Sequence, residues 1–279
     1  MSPLETSLAF CTNFLFVPGT RSDRFLKALN SGASGVIIDL EDAVGPNDKE
    51  TARTQLREAW GTFSAAQKKQ LVIRINAPGT KYYGADLSLA QEIYAPCLLI
   101  PKSESLDQIN GVAQILPNTA IIPMIETALG LDRLKEIANA QQVLRLALGN
   151  LDLQADLGMV CDEQESELLT ARFQLVFQSR VAEIAPPIDG VTTSTTDENR
   201  ISADAARAKR MGFGGKLCIH PKQIGLVRQA FDPSSAEIEW AKRVIKADYE
   251  SHGGAVKLDG RMIDRPVVIL AQRTLNQAK

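Results

Sequence analysis

Eight short apolar runs recur along this chain, each rich in Leu or β-branched residues and each set apart from the next by a longer, more polar stretch. The runs are Phe14–Val17, Gly35–Leu40, Leu71–Ile75, Cys97–Ile100, Ile121–Ile125, Arg145–Leu148, Ile188–Val191 and Lys216–Ile219. Near-continuous apolar character over four to six residues is what a parallel strand buried on both faces requires. The intervening patterns predict helices over Asp23–Asn30, Lys49–Trp60, Ser105–Leu116, Ala128–Asn139, Glu163–Ile184 and Ala203–Met211. About eight βα units in one chain predict an α/β protein closed into a (β/α)8 (TIM) barrel, with a doubly wound open sheet as the alternative. Two more helices, Ser235–Tyr249 and roughly Arg265–Gln277, follow the last unit. The expectation is one barrel domain over residues 1–279, with 232–279 as a C-terminal helical extension. Ser251–Gly260, which holds Gly253-Gly254, reads as a mobile loop or part of that extension.

Composition narrows the function classes. Lys and Arg total 31 against 33 Asp and Glu, with no basic block, which argues against a nucleic-acid partner but leaves room for an anionic small molecule. No apolar run approaches ~18 residues, so no membrane span is expected. The N-terminus, with Glu5, shows no basic segment followed by an apolar run. Cys11, Cys97, Cys161 and Cys218 form no CxxC pair and read as reduced thiols of a cytoplasmic protein. His220 and His252 belong to no HExxH pair, which argues against a zinc hydrolase; His220, at a strand end, is open to a structural or a functional role. Gly212–Lys216 resembles a phosphate loop only superficially: no Ser or Thr follows the lysine, and the segment enters a strand. No GxSxG elbow occurs.

In such a barrel the site forms at the C-terminal ends of the strands. There the chain concentrates charge: Asp39-Leu-Glu41-Asp42, Arg74 with Asn76, Pro101-Lys102, Glu126-Thr127, Gly149-Asn150-Leu-Asp152, Thr192-Thr193 and His220. Helix capping accounts for single acids of this kind, less readily for six or seven strand ends. Glu126 and Asp152 leave adjacent strands, whose spacing of ~5 Å lets two carboxylates share a hard cation. A metal-free acid–base pair is the competing reading. Arg74 interrupts an apolar strand. Either Glu41 or Asp42 pairs with it, or it clamps a carboxylate or enolate oxygen.

Several motifs carry a family resemblance: Leu15–Arg24 (LFVPGTRSDR), Ile38–Val44 (IDLEDAV), Arg74-Ile-Asn76, Pro123–Ala128 (PMIETA), Gly149–Gly158 (GNLDLQADLG), Gly215–Pro221 (GKLCIHP) and Asp259–Pro266 (DGRMIDRP). In this order they resemble the HpcH/HpaI aldolase and citrate lyase β-subunit (CitE-like) family, from about Phe14 to the C-terminus. The resemblance implies a TIM barrel, Mg²⁺ held by Glu126 and Asp152, and substrate bound by Arg74 and at the metal ligand Glu126. It implies trimers or larger assemblies, homotrimer or hexamer. It also implies a role for Asp264 in a neighbouring subunit's site, whereas within one chain Asp264 reads equally as a helix cap. Leu151 stands where many relatives are acidic, and Thr192-Thr-Ser194 where Tyr-Thr-Asp is frequent. The implied activity is carbon–carbon cleavage of a malyl-, citramalyl- or citryl-type CoA thioester by a retro-Claisen or retro-aldol route. Alternatives are an aldolase acting on a free hydroxy-keto acid, a citrate lyase β-subunit acting on an acyl-carrier thioester, and a barrel that has lost catalysis and binds a ligand or partner. Backbone amides of Gly19–Arg21 and the Lys216/His220 region are candidate holds for the anionic carrier.

Overall fold

A computed structural model describes residues 7–251, 254 and 256–277. The chain divides into two compact units, residues 1–228 and 229–279. In the first, β1 (Asn13–Pro18), β2 (Gly35–Asp39), β3 (Leu71–Arg74), β4 (Cys97–Ile100), β5 (Ala120–Ile125), β6 (Ala147–Leu148), β7 (Ile188–Asp189) and β8 (Gly215–Cys218) pair in sequence order. All ladders are parallel, and β8 closes on β1 through Leu217 opposite Phe14. This is the predicted (β/α)8 barrel.

The crossovers are α1 (Phe25–Leu29), α2 (Lys49–Trp60) with α3 (Ala65–Lys68), α4 (Tyr83–Glu92), α5 (Leu106–Ile115), α6 (Ala128–Asp132) with α7 (Leu134–Ala138), α8 (Asn150–Leu157) with α9 (Leu169–Val181), and α10 (Glu198–Met211); α11 (Pro221–Phe231) follows β8. Their starts follow local chemistry. Ser64 with Gln67 and Ser105 with Gln108 form reciprocal capping boxes, and Thr127 and Asp197 accept from Gly130 and Arg200 amides. Inside the barrel, Phe14, Ile37, Val72, Leu99, Ile122 and Leu217 are buried in one core cluster.

Several local readings change. The run over Ile188–Val191 pairs only as Ile188–Asp189, and the helix read over Ala203–Met211 begins at Glu198, capped by Asp197. The predicted strand over Arg145–Leu148 shortens to Ala147–Leu148. Arg145 lies before it, fully buried, donating to the carbonyls of Leu8, Cys11, Pro186 and Pro187. Burial lowers its pKa to about 10. The helix read over Ala128–Asn139 breaks at Arg133, whose ψ of 9° leaves the helical range. The one read from Glu163 becomes α9 only at Leu169, after a 3-10 turn. Helices α4, α8 and α11 escape the periodicity. In α4 the buried set includes Asp86 beside Leu87, Leu89 and Ala90, which blurs the apolar face.

The second unit comprises α12 (Ser235–Glu250), an antiparallel hairpin of β9 (Val256–Leu258) and β10 (Arg261–Ile263), and α13 (Arg265–Gln277). Ala241, Val244, Ile263, Val268 and Ala271 form its core. The segment read as a loop over Ser251–Gly260 therefore contains strand β9 and a two-residue turn. Asp259 and Gly260 at φ 48° and 79° suit the left-handed turn that matches strand twist. His252 and Gly253 lie outside the described residues. Among the described residues no helix is long and apolar enough to cross a membrane.

Candidate functional site

Strand β5 delivers Glu126 directly to the barrel mouth, and the first turn of α8 delivers Asp152 from the exit of the neighbouring β6. Both line one cavity of about 400 Å³, together with Arg74, Asp39, Asp42 and Leu151. Glu126 is almost fully buried, and its Oε1 accepts from the Lys102 amide at 2.7 Å. Lys102 reaches that geometry at φ 45°, an unusual backbone state for a residue with a Cβ. Burial pushes the Glu126 carboxyl up to about 7, against the Lys102 hydrogen bond and with help from the charge of Asp152. Gly149 makes room for it. A Cβ there would sit 2.4 Å from Glu126 Oε2.

Arg74 ends β3 buried and heavily engaged. Its Nε and Nη2 donate to the two oxygens of Asp39 at 2.7 and 2.6 Å, and Nη1 donates to Asp42 Oδ2 at 3.3 Å. The guanidinium lies 4.8 Å from the Phe16 ring centroid. Burial alone would lower its pKa, but Asp39, Glu41 and Asp42 raise it further above the usual arginine value. The pairing seen from sequence thus holds for both Glu41, an ion pair at 3.1 Å, and Asp42, at 3.3 Å, and extends to Asp39, the strongest partner. Because Arg74 also lines the cavity, pairing and ligand contact are compatible.

Lys102 was noted as a strand end but given no role, and Glu41 was read only as a partner for Arg74. Glu41 Oε2 is 3.1 Å from Arg74 Nη1 yet is a buried atom without a hydrogen bond, and its Oε1 is 3.8 Å from Lys102 Nζ. Burial raises Glu41 to about 8, against the pull of Arg74. Its signal in the sequence was the alternation Asp39–Leu40–Glu41, which puts both acids on one side of an extended chain. Lys49 Nζ holds the Leu40 and Glu41 carbonyls at 2.8 Å each, and Asn76, tied to Asp86 at 2.6 Å, donates to Leu40 O at 2.9 Å. These contacts fix the β2 exit on which Arg74 and Glu41 depend.

Other candidates fall elsewhere. Lys216 is buried, donating to Asp189 at 3.1 Å and to the Gly190 carbonyl at 2.7 Å, so it is not a hold for a carrier. His220 Nδ1 accepts from the Lys222 amide at 3.2 Å, a structural role at the start of α11. The Gly19 amide donates to Asp39 O and the Arg21 amide to Pro18 O, so these two amides serve the loop itself. Asp264 belongs to the second unit, exposed, with Oδ1 3.4 Å from the Val267 amide in the first turn of α13. The three buried cysteines are held as thiols; burial raises Cys11 to about 11 and Cys218 to about 12.

Comparison with known proteins places this geometry among relatives. Residues 13–221 match the family model described as HpcH/HpaI aldolase/citrate lyase. A (3S)-malyl-CoA thioesterase of Cereibacter sphaeroides is 32% identical over 268 residues, covering 95% of this chain and 93% of that protein. A citrate lyase subunit beta-like protein of Mycobacterium tuberculosis is 34% identical over 271 residues, covering 95% and 94%. The crystal structure of CitE from Mycobacterium tuberculosis in complex with magnesium, acetoacetate and coenzyme A superposes with a TM-score of 0.85 at 31% identity, covering 97% of this chain and 99% of that one.

Proposed function

Because the chain belongs to the HpcH/HpaI aldolase/citrate lyase family, we propose that it is a Mg²⁺-dependent carbon–carbon lyase acting on a 3-hydroxyacyl-CoA. The substrate is of the malyl, citramalyl or citryl type, and the products are an α-keto acid and an acyl-CoA. The observation that carries this reading is the convergence of Glu126, Asp152 and Arg74 on one cavity at the C-terminal end of the barrel.

The residues fit a hard cation. Glu126 and Asp152 line one cavity, and Glu126, whose pKa is raised by burial and by the charge of Asp152, carries a buried negative charge that a cation would offset. Among the described residues no group of three or more His, Cys, Asp or Glu could hold a metal. Two protein carboxylates, with the other positions left to water and substrate oxygens, are the Mg²⁺ pattern. When bound, Mg²⁺ would act as a Lewis acid on the substrate's carboxylate and hydroxyl oxygens.

The chain's own residues do the rest. The Lys102 amide orients Glu126. Asp39 grips Arg74 by two parallel bonds, so the guanidinium meets the cavity in one orientation. Its remaining N–H capacity binds a substrate carboxylate and offsets the charge that develops as the carbon–carbon bond breaks. Residues 232–279 serve as an extension of the barrel domain, and Asp264 reaches the site of a neighbouring subunit in a homotrimer or hexamer. There it protonates the carbon of the departing acyl-CoA enolate.

The similarity to (3S)-malyl-CoA thioesterases favours one second reading, hydrolysis of the thioester. One experiment decides. With malyl-CoA and Mg²⁺, carbon–carbon cleavage yields glyoxylate and acetyl-CoA, whereas hydrolysis yields malate and free CoA. If malyl-, citramalyl- and citryl-CoA all survive intact, both readings are wrong.

A further inference from the structure

The cavity at the barrel mouth has two unlike walls. Every charged side chain that lines it leaves β2, β3, β5 or β6: Asp39, Asp42, Arg74, Glu126 and Asp152. The lining from β7, β8 and β1 is apolar throughout: Val191, Leu217, Ile219, Phe16 and Pro18. The strands pair in sequence order and β8 closes on β1, so these three strands are consecutive and their side chains make one continuous wall. Leu151 extends that wall to the β6 exit, one residue before Asp152. Leu151 and Ile219 are 45 and 42% exposed. Single exposed aliphatics are ordinary, but a contiguous apolar surface turned into a cavity has the form of a ligand contact.

This wall offers a carboxylate no partner. Among the described residues, Arg74 is the only Lys, Arg or His that lines the cavity, and it belongs to the opposite wall. Asn150 also lines it, but its carboxamide is engaged. Oδ1 accepts from the Val191 amide at 2.9 Å, and Nδ2 donates to Val191 O at 3.1 Å and to Glu165 at 2.8 Å. Leu151 and Val191 separate this space from a smaller cavity of about 280 Å³ that they line as well. Its arginine, Arg200, is paired with Asp204 at 3.1 Å, and Asp162, Glu165 and Asp204 all line that space, so it does not favour an anion either.

The inference rests on the reading of Glu126, Asp152 and Arg74 as the seat of a hydroxy-acid unit. In a malyl-, citramalyl- or citryl-type thioester the hydroxyl-bearing carbon is tetrahedral. It carries a carboxylate, a hydroxyl, the thioester arm and a group R, which is hydrogen, methyl or carboxymethyl respectively. With carboxylate and hydroxyl on the charged wall, the thioester arm and R both turn to the apolar one. We propose that the apolar wall, with Leu151 at its edge, selects substrates whose R is a hydrocarbon group such as methyl or ethyl and excludes those whose R carries a second carboxylate. A hydrocarbon R gains by leaving water for Leu151, Val191 and Ile219. A carboxymethyl R would lose its hydration and find no partner in exchange. The keto-acid product is then pyruvate or 2-oxobutanoate rather than glyoxylate or oxaloacetate.

The test has two readouts on the full chain. In Mg²⁺-supported cleavage, kcat/KM for citramalyl-CoA should exceed that for malyl-CoA about tenfold, the worth of one methyl group in an apolar pocket, and that for citryl-CoA about 100-fold. In calorimetry with saturating Mg²⁺, pyruvate and 2-oxobutanoate should bind about tenfold more tightly than oxaloacetate. Leu151→Arg puts a cation at the edge of the apolar wall and should narrow the citramalyl-to-citryl ratio about tenfold; should that variant fail to fold, the wild-type comparisons decide alone. Malyl-CoA or citryl-CoA cleaved as efficiently as citramalyl-CoA, oxaloacetate bound as tightly as pyruvate, or an unmoved ratio in folded Leu151→Arg overturns the proposal. If no thioester is cleaved, the lyase reading fails by itself and the keto-acid titration still decides this one. Preference for pyruvate over oxaloacetate upholds it, and no keto-acid binding at all overturns it.

Discussion

Two clusters of buried charge sit at the same end of the barrel, and they are built on opposite principles. Around β7 and β8, Glu165, Asp189 and Asp204 face Arg172, Arg200, Arg207 and Lys216 at 2.8–3.1 Å, with Arg172 also bonded to Glu165. At the mouth between β2 and β6, five acids, Asp39, Glu41 and Glu126 with the more exposed Asp42 and Asp152, face three cations among the described residues, Arg74, Lys102 and Lys49. Burial pushes every carboxylate toward neutrality. In the first cluster Lys216 and Arg172 outweigh burial and hold Asp189 below the usual carboxylate range. In the second, burial wins at Glu126 and Glu41, which rise to about 7 and about 8. A balanced cluster stabilises the fold. An acid-rich one holds unspent attraction for a cation, and this difference separates scaffold from candidate site more sharply than burial does.

The largest expected effect breaks the balanced cluster. Arg172→Met removes the buried arginine that Glu165 and Asp189 share, leaving Asp189 to Lys216 and Glu165 to Arg207, and should cost about 3 kcal/mol of stability, the lower end for breaking a buried ion pair, read from urea unfolding. A loss under about 1 kcal/mol would mean the cluster is not the structural element described. The converse substitution in the acid-rich cluster should leave the fold intact. Glu126→Gln removes a proposed metal ligand, so Mg²⁺-dependent turnover should fall at least 100-fold while the melting temperature in EDTA holds or rises. Full turnover in that variant would refute the site.

The same contrast sets a pH dependence. In the metal-free protein Glu126 binds its proton more tightly folded than unfolded, since its pKa rises from 4.5 to about 7. Its contribution is therefore fully present below pH 4.5 and is lost as pH rises through about 7. At about 1.4 kcal/mol per pKa unit the loss is bounded at about 3 kcal/mol. Thermal unfolding in EDTA should show stability declining between pH 5 and 8, and less so in Glu126→Gln. Saturating Mg²⁺ should reverse the trend, because the cation binds the ionised carboxylates. A flat profile in EDTA would show that Glu126 is better solvated than its burial indicates.

Much of the barrel was legible because parallel strands buried on both faces are apolar throughout, so the runs over residues 14–17, 35–40, 71–75 and 97–100 stand out without an alignment. Strand ends then locate the mouth, and with it Glu126, Asp152 and Arg74. What escaped is whatever depends on partners distant in sequence. Arg145 looks like a strand residue until its four carbonyl acceptors, two of them more than 130 residues away, fix it at the barrel entry. Lys216 looks available for an anion until Asp189 claims it. Glu41 reads as a salt-bridge partner, and only three-dimensional packing leaves one of its oxygens without a hydrogen bond.

The smallest expected effect probes how closely the acid-rich mouth is shaped. Gly149 lies at the exit of β6, where the space a side chain would fill already holds Glu126, Cβ at 2.5 Å and Oε2 at 2.4 Å. Gly149→Ala must therefore displace Glu126, since the backbone there is tied by the Gly149 amide to Ile125 O at 3.0 Å. The carboxylate would move off the Lys102 amide and away from Asp152. Mg²⁺ affinity, measured by calorimetry, should drop about tenfold, the equivalent of about 1.4 kcal/mol. Gly190→Ala makes the matching intrusion, on Asn150 at 2.1 Å, beside the balanced cluster. It should lower stability while leaving Mg²⁺ affinity within twofold. If both glycine variants changed Mg²⁺ affinity alike, the two clusters would be one coupled unit, and the division between scaffold and site would fail.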